Sequence, residues 1–178
     1  MATSIVFLRG INLGKARRVQ MAALCELLAE SGHENVRTLL QSGNVVLESR
    51  SSGTKLEREL ERQLEAGLGF QVDVFVRTRK ELAAVVARNP LAAVAKDPAR
   101  YLVTFLRAKL DPAVARRLRA LDLGPEQLVI SGRELYSWHP GGLARTELRK
   151  HLTDRVLGVS SSNRNWSTVT KLLELADT

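Results

Sequence analysis

Residues 36–49 read Val36-Arg37-Thr38-Leu39-Leu40-Gln41-Ser42-Gly43-Asn44-Val45-Val46-Leu47-Glu48-Ser49. Two runs of strand formers, Val36–Gln41 and Val45–Ser49, are interrupted by Ser42-Gly43-Asn44, residue types that favour turns on conformational grounds. The stretch predicts a hairpin. Upstream, Ser4–Arg9 (SIVFLR) predicts a short buried strand. Between the two, Val19–Ser31 predicts a helix with Met21, Leu24, Cys25 and Leu28 on one face and Gly32 as its C-terminal cap. Downstream, Thr54 is a candidate N-cap for a helix to about Gly67, with Leu56, Leu60 and Leu64 spaced by four. Val72–Arg77 then alternates Val72, Val74 and Val76 inward with Gln71, Asp73 and Phe75 on the other face. The order β-α-β-β-α-β is that of a ferredoxin-like plait.

The second half repeats the order without repeating the sequence. A bridging helix over 79–88 is stopped by Asn89-Pro90. Tyr101–Leu106 predicts a strand, and Asp111-Pro112 opens a helix to about Leu121. Leu128–Ile130 and Glu134–Trp138 predict a second hairpin around Ser131-Gly132-Arg133. A helix over Thr146–Val156, a weak strand near Val159 and a final helix over Trp166–Leu175 complete the expectation, with Trp166 inward. The fold class expected is α+β: two tandem ferredoxin-like (βαββαβ) subdomains packed together, residues 1–78 and 79–178, with the bridging helix in the second.

Topology then places candidate binding groups. In this plait the first two strands run parallel with the third antiparallel between them. The end of strand one and the turn between strands two and three therefore share one edge of the sheet. Arg9, Gly10, Asn12, Gln41, Ser42 and Asn44 should converge there. The first helix begins near the same edge and offers its unpaired N–H groups and positive dipole end. With Lys15, Arg17 and Arg18 nearby, an anion site is expected. Turn chemistry alone also accounts for Gly43 with Ser42 or Asn44, Gln41 can satisfy a strand end, and Arg9 can pair with an acid such as Glu48. Arg164 and Asn165 form a further candidate at the start of the last helix, where Asn163 or Asn165 can cap and Arg164 can bind an anion. Sequence does not place Arg164 beside Arg9.

Other chemistries find no support. The spacing of a Walker loop is absent, as are a dinucleotide fingerprint, G-x-S-x-G, C-x-x-C and H-E-x-x-H. Cys25 reads as an inert core thiol, and His33, His139 and His151 lack metal-ligand spacing. No nucleophile stands with an evident base, so catalytic residues and cofactor are both unassigned. Net charge is 27 − 19 = +8, with 20 arginines against 7 lysines. That charge admits a phosphorylated ligand or nucleic acid. Nucleic acid is not favoured, because 4% aromatic residues supply no stacking platform. The basic residues Arg107, Lys109, Arg116, Arg117 and Arg119 read as a solvated face. No run of 18 apolar residues occurs, so no membrane partner is expected. One cysteine and an N-terminus without a leader pattern lead to an expected cytoplasmic location.

Four segments together resemble the bacterial domain-of-unknown-function family 1697. They are Phe7-Leu8-Arg9-Gly10-Ile11-Asn12-Leu13-Gly14, Gln41-Ser42-Gly43-Asn44-Val45-Val46, Glu81-Leu82 with Asn89-Pro90-Leu91, and Arg164-Asn165-Trp166-Ser167-Thr168-Val169. The resemblance runs in order along the whole chain and implies a two-subdomain α+β protein; it implies no activity. Three positions depart from the family pattern. Gly14-Lys15-Ala16 stands where Gly-Gly-Lys is expected, Ser162-Asn163 where Thr-Thr is expected, and Thr146-Glu147-Leu148 where Ser-Lys-Leu is expected. The last exchanges a cation for an anion. The function expected is binding of an anionic, phosphate- or nucleotide-like ligand. The alternatives are an enzyme acting on a phosphorylated small molecule at the same edge, or a nucleic-acid-binding or oligomerising module.

Overall fold

A computed structural model describes residues 1–178. It is a mixed α+β chain with two four-stranded antiparallel sheets and seven helices. The chain divides into two compact units, Met1–Ala84 with Lys171–Thr178, and Val85–Thr170. The division falls within helix α3 (Arg79–Arg88).

In the first unit, strands β1 (Ala2–Arg9), β2 (Glu34–Leu39), β3 (Asn44–Ser49) and β4 (Asp73–Thr78) lie in the order β2-β3-β1-β4. Strand β3 is antiparallel to both β1 and β2, so those two run parallel on either side of it. Helices α1 (Met21–Glu30) and α2 (Gly53–Leu68) pack on one face. Val6, Leu8, Val45, Leu47, Val74 and Val76 of the sheet meet Leu24, Leu28, Leu56, Leu60 and Leu64 of the helices. The four-residue spacing on α2 supplies that face. Gly32 closes α1 at φ +90, with its N–H on the Ala29 carbonyl at 3.0 Å and the His33 N–H on the Leu28 carbonyl at 3.2 Å. Three local expectations change. Helix α1 begins two residues later than expected: the Asn12 side chain bonds both backbone groups of Val19, and Gln20 is extended at φ −75, ψ 134. Ser52, not Thr54, occupies the N-cap position of α2. Cys25 is half-buried rather than enclosed with Leu24 and Leu28.

Strand β4 is an edge strand whose outward N–H groups are taken up by carboxylates. Val74 donates to Glu61 at 3.2 Å, Val76 to Glu57 at 2.9 Å and Thr78 to Glu81 at 2.8 Å. Four helix residues rise about 6 Å, and alternate strand residues are about 6.6 Å apart. Acids at i and i+4 on α2 therefore match amides at alternate positions of β4.

In the second unit, β5 (Tyr101–Leu106), β6 (Gln127–Ser131), β7 (Glu134–Trp138) and β8 (Ser161–Asn165) lie in the order β6-β7-β5-β8. Helix α4 (Pro112–Arg119) is capped as expected, the Asp111 carboxylate accepting from the Ala113 N–H at 2.8 Å. The helix expected over Thr146–Val156 is broken. A 3-10 turn at Leu143–Arg145 is followed by α5 (Leu148–His151) and α6 (Asp154–Leu157), with Thr153 extended at φ −81, ψ 150 between them. The break leaves Leu148, Leu152 and Leu157 all in the core. The strand expected near Val159 lies further along and is polar: Phe105 pairs with Ser162, Thr104 with Asn163 and Val103 with Arg164. The motif Asn163-Arg164-Asn165 is thus strand, and helix α7 (Trp166–Ala176) follows it. No helix is long and apolar enough to cross a membrane.

Candidate functional site

The loop after β1 and the β2–β3 turn do meet. Phe7 pairs across the ladder with Asn44, and the Leu8 N–H reaches the Gly43 carbonyl at 2.7 Å. Asn12 ties the two segments together. Its amide Nδ2 donates to the Gln41 carbonyl at 2.7 Å and to the Val19 carbonyl at 3.0 Å, and its Oδ1 accepts the Val19 N–H at 2.8 Å. Its own N–H donates to the Arg17 carbonyl at 3.0 Å, closing the loop on itself. Asn12 holds φ +53, a conformation that asparagine tolerates better than most residues. Asn44 is buried, with Nδ2 donating to the Leu39 carbonyl at 3.0 Å and the Ser42 hydroxyl at 2.9 Å. Both asparagines therefore shape the rim from within. Gln41 and Ser42 are exposed at its surface. Gly43 is fixed by space as well as by its φ of +79: a Cβ there would stand 2.8 Å from the Leu8 Cβ and 3.1 Å from the Leu8 carbonyl oxygen.

Arg9 takes a different direction from the loop cations. It pairs with Asp73, directly opposite it on β4, through Nε at 2.9 Å and through a second guanidinium nitrogen. Glu48 stands instead opposite Thr3, at the other end of β1. The Arg9 guanidinium also stands 5.7 Å from the Phe75 ring centre. Because Leu8 faces α1 and α2, Arg9 falls on the opposite face of the sheet, the face that Phe7 and Asn44 share. Lys15, Arg17 and Arg18 are exposed on the loop, with Arg17 resting 5.4 Å from the Phe70 ring centre. Gly10, at φ +84, lies beneath this cation: a Cβ there would be 3.4 Å from an Arg17 guanidinium nitrogen. The loop leads into α1, whose N-cap residue Gln20 makes no side-chain cap bond. Its first-turn N–H groups thus add to the positive field of the rim.

Arg164 and Asn165 belong to the second unit, whereas Arg9 belongs to the first. Arg164 donates to the Ser162 hydroxyl at 2.8 Å and to the Asn163 carbonyl at 2.7 Å. Burial lowers its guanidinium to about 10, which still leaves it charged at neutral pH. Asn165 caps α7, its Oδ1 accepting the Thr168 N–H at 2.9 Å, and Trp166 stacks on Tyr101 with ring centres 4.8 Å apart. Trp166 is half-buried there rather than enclosed.

Sequence reading passed over one polar cluster. His139 is fully buried behind β7. Its Nδ1 lies 2.8 Å from the Thr146 hydroxyl and 3.3 Å from a Glu126 carboxylate oxygen, and its Nε2 lies 2.8 Å from the Ser137 hydroxyl. Glu126 also accepts the Leu148 N–H at 2.9 Å. Burial pushes the His139 imidazolium down, outweighing the Glu126 carboxylate that favours it. Burial also raises Glu126, but bonds from Thr146, Leu148 and His139 hold its carboxyl below the usual range. The bonding pattern fits a neutral ring with its proton on Nδ1 and Ser137 donating to Nε2. Ser137 is itself fully buried, so this serine, histidine and glutamate act as a structural clasp rather than a hydrolytic group. The clasp backs a cleft of about 400 Å³ lined in part by Asp122, Glu126, Arg145, Glu147 and His151. Only the packing of β7 against the 122–126 loop reveals it, since the four residues share no sequence spacing.

No curated protein matches the chain. Among solved structures, the conserved bacterial protein SP0830 from Streptococcus pneumoniae matches with a TM-score of 0.80 at 23% identity, covering 98% of each chain. That likeness establishes a shared fold. The model of the family described as "Protein of unknown function (DUF1697)" matches residues 1–136, a span that holds the β1 loop, the β2–β3 turn and the Asn89-Pro90 helix stop. The chain belongs to the DUF1697 family.

Proposed function

We propose that the first unit binds an anionic ligand, phosphate- or nucleotide-like, at the sheet edge where the β1–α1 loop meets the β2–β3 turn. One observation carries the reading: the Asn12 side chain bonds the Gln41 carbonyl and both backbone groups of Val19. It thereby joins the turn, the cationic loop and the start of α1 in one fixed rim. Lys15, Arg17 and Arg18 supply charge, Gln41 and Ser42 supply exposed hydrogen-bonding groups, and the α1 N-terminus supplies oriented N–H donors. Gly10, Asn12 and Asn44 hold the shape of the rim, while Arg9 pairs with Asp73 on the other face of the sheet. Each unit is read as a ferredoxin-like plait, a reading supported by its strand order of second, third, first and fourth.

A panel of nucleotides and phosphorylated metabolites, read by thermal shift, tests the proposal. At least one compound should raise the melting temperature of the wild-type chain. The double variant Lys15→Ala, Arg18→Ala should lose that rise while melting normally without ligand, because both side chains are exposed. A panel with no effect on the wild type removes the support. Turnover of a bound compound would instead make the same rim an active site.

A further inference from the structure

We propose that this rim docks onto an anionic lipid bilayer, with Leu13 and Leu40 entering the boundary between headgroups and acyl chains while Lys15, Arg17 and Arg18 hold lipid phosphates. The inference rests on the anion-binding reading and names the source of the anion. Leu13 is 71% exposed and Leu40 58%. Leu13 directly follows Asn12 and Leu40 directly precedes Gln41, so the Asn12–Gln41 hydrogen bond of 2.7 Å sets the two leucines on one rim. Leu40 holds its place at φ +62, where residues with a Cβ are seldom found. Two large apolar side chains thus face water from segments that the Asn12 side chain ties together.

Charge selects the occupant. Segments 10–20 and 40–44 contain Lys15, Arg17 and Arg18 and no aspartate or glutamate, whereas Arg9 is already paired with Asp73 on the other face of the sheet. They also contain no aromatic residue, so nucleic-acid bases would find no ring to stack on. Two leucines cover far less than the roughly 800 Å² per partner of a stable protein interface. A bilayer accepts single inserted side chains and adds headgroup attraction for each nearby cation. A spanning segment needs about 20 apolar residues, whereas docking at the headgroup boundary needs only side chains such as these two leucines.

Co-sedimentation of the full chain with vesicles tests the docking. One set holds phosphatidylcholine alone; the other holds phosphatidylcholine and phosphatidylglycerol at two to one. The wild type should bind the second set and not the first, and added salt should weaken binding. Leu13→Ser with Leu40→Ser should lower the partition coefficient about tenfold or more. The same variant should keep the wild-type response to inorganic phosphate and soluble nucleotides, since neither leucine contacts the anion. Absence of binding to anionic vesicles, or binding undiminished by the leucine substitutions, overturns the docking. Soluble anions that still raise the melting temperature would then leave the anion site standing; failure of both arms removes both readings.

Discussion

At the scale of single residues, amides that look like ligand-binding groups turn out to be braces. Asn12 uses both Nδ2 hydrogens and its Oδ1 on backbone groups, and Asn44 is sealed beneath the turn. Sequence showed which residue types converge but not their partners, because a hydrogen bond between positions 12 and 41 depends on loop geometry that no spacing rule encodes. Gly43 was legible as a turn former; the second constraint on it, the closeness of Leu8, was not. Gly43→Ala should cost about 2–5 kcal/mol, combining a positive-φ penalty with overpacking against backbone, measured by denaturant unfolding. A cost below 1 kcal/mol would mean that the turn relaxes freely away from β1. His139 makes a separate prediction. Its folded-state pKa lies below the ordinary 6.5, so the unfolded chain binds its proton more readily than the native one. Its neutral form therefore stabilises the fold above about pH 6.5, and that contribution is lost as pH falls through the lowered native value. Wild-type melting temperature should drop between pH 8 and pH 5 more steeply than that of His139→Asn, which starts lower. Parallel curves for the two would show that burial does not lower the His139 pKa in the fold.

At the scale of elements, legibility followed periodicity. Strands β1, β3, β5 and β7 and helices α2 and α3 carry apolar runs or four-residue spacings, and they form close to where those patterns lie. Strand β8 has no such run. Its pairing to β5 is enforced by neighbours, with Ser161 and Ser162 buried, while Thr104 donates to Asn163 at 2.8 Å. The carboxylates along β4 were equally hidden, because Glu57 and Glu61 read as the polar side of an amphipathic helix. Glu57 is in fact fully buried and accepts the Val76 N–H. This arrangement occupies the edge that would otherwise be open to another strand. Glu57→Ala leaves a buried donor without an acceptor and should cost about 1–3 kcal/mol. Glu57→Gln keeps an acceptor oxygen and should lose less. The alanine variant should also form larger species in light scattering before it unfolds. If both variants unfold at the wild-type denaturant midpoint, the carboxylates do not protect the edge.

At the scale of the whole molecule, a net charge of +8 attracts anions from every direction, so a field effect must be separated from a site. The chain offers its own control. Arg116 and Arg119 are exposed on α4 in the second unit, as Lys15 and Arg18 are exposed on the loop of the first. Removing either pair changes the net charge from +8 to 8 − 2 = +6, so long-range attraction falls alike in both variants. Only the loop pair sits where Asn12 fixes the turn, the loop and the start of α1 together. Lys15→Ala with Arg18→Ala should therefore weaken binding of a phosphorylated ligand at least tenfold at 0.15 M salt. At that concentration the screening length is about 8 Å and remote charges contribute little. Arg116→Ala with Arg119→Ala should weaken it less than twofold under the same conditions, because neither side chain belongs to the rim and salt screens exposed charges. Isothermal titration of both variants across a salt series checks this. Equal losses in the two would assign the binding to the field of a basic protein, and the rim would then be only the brace that its asparagines make it.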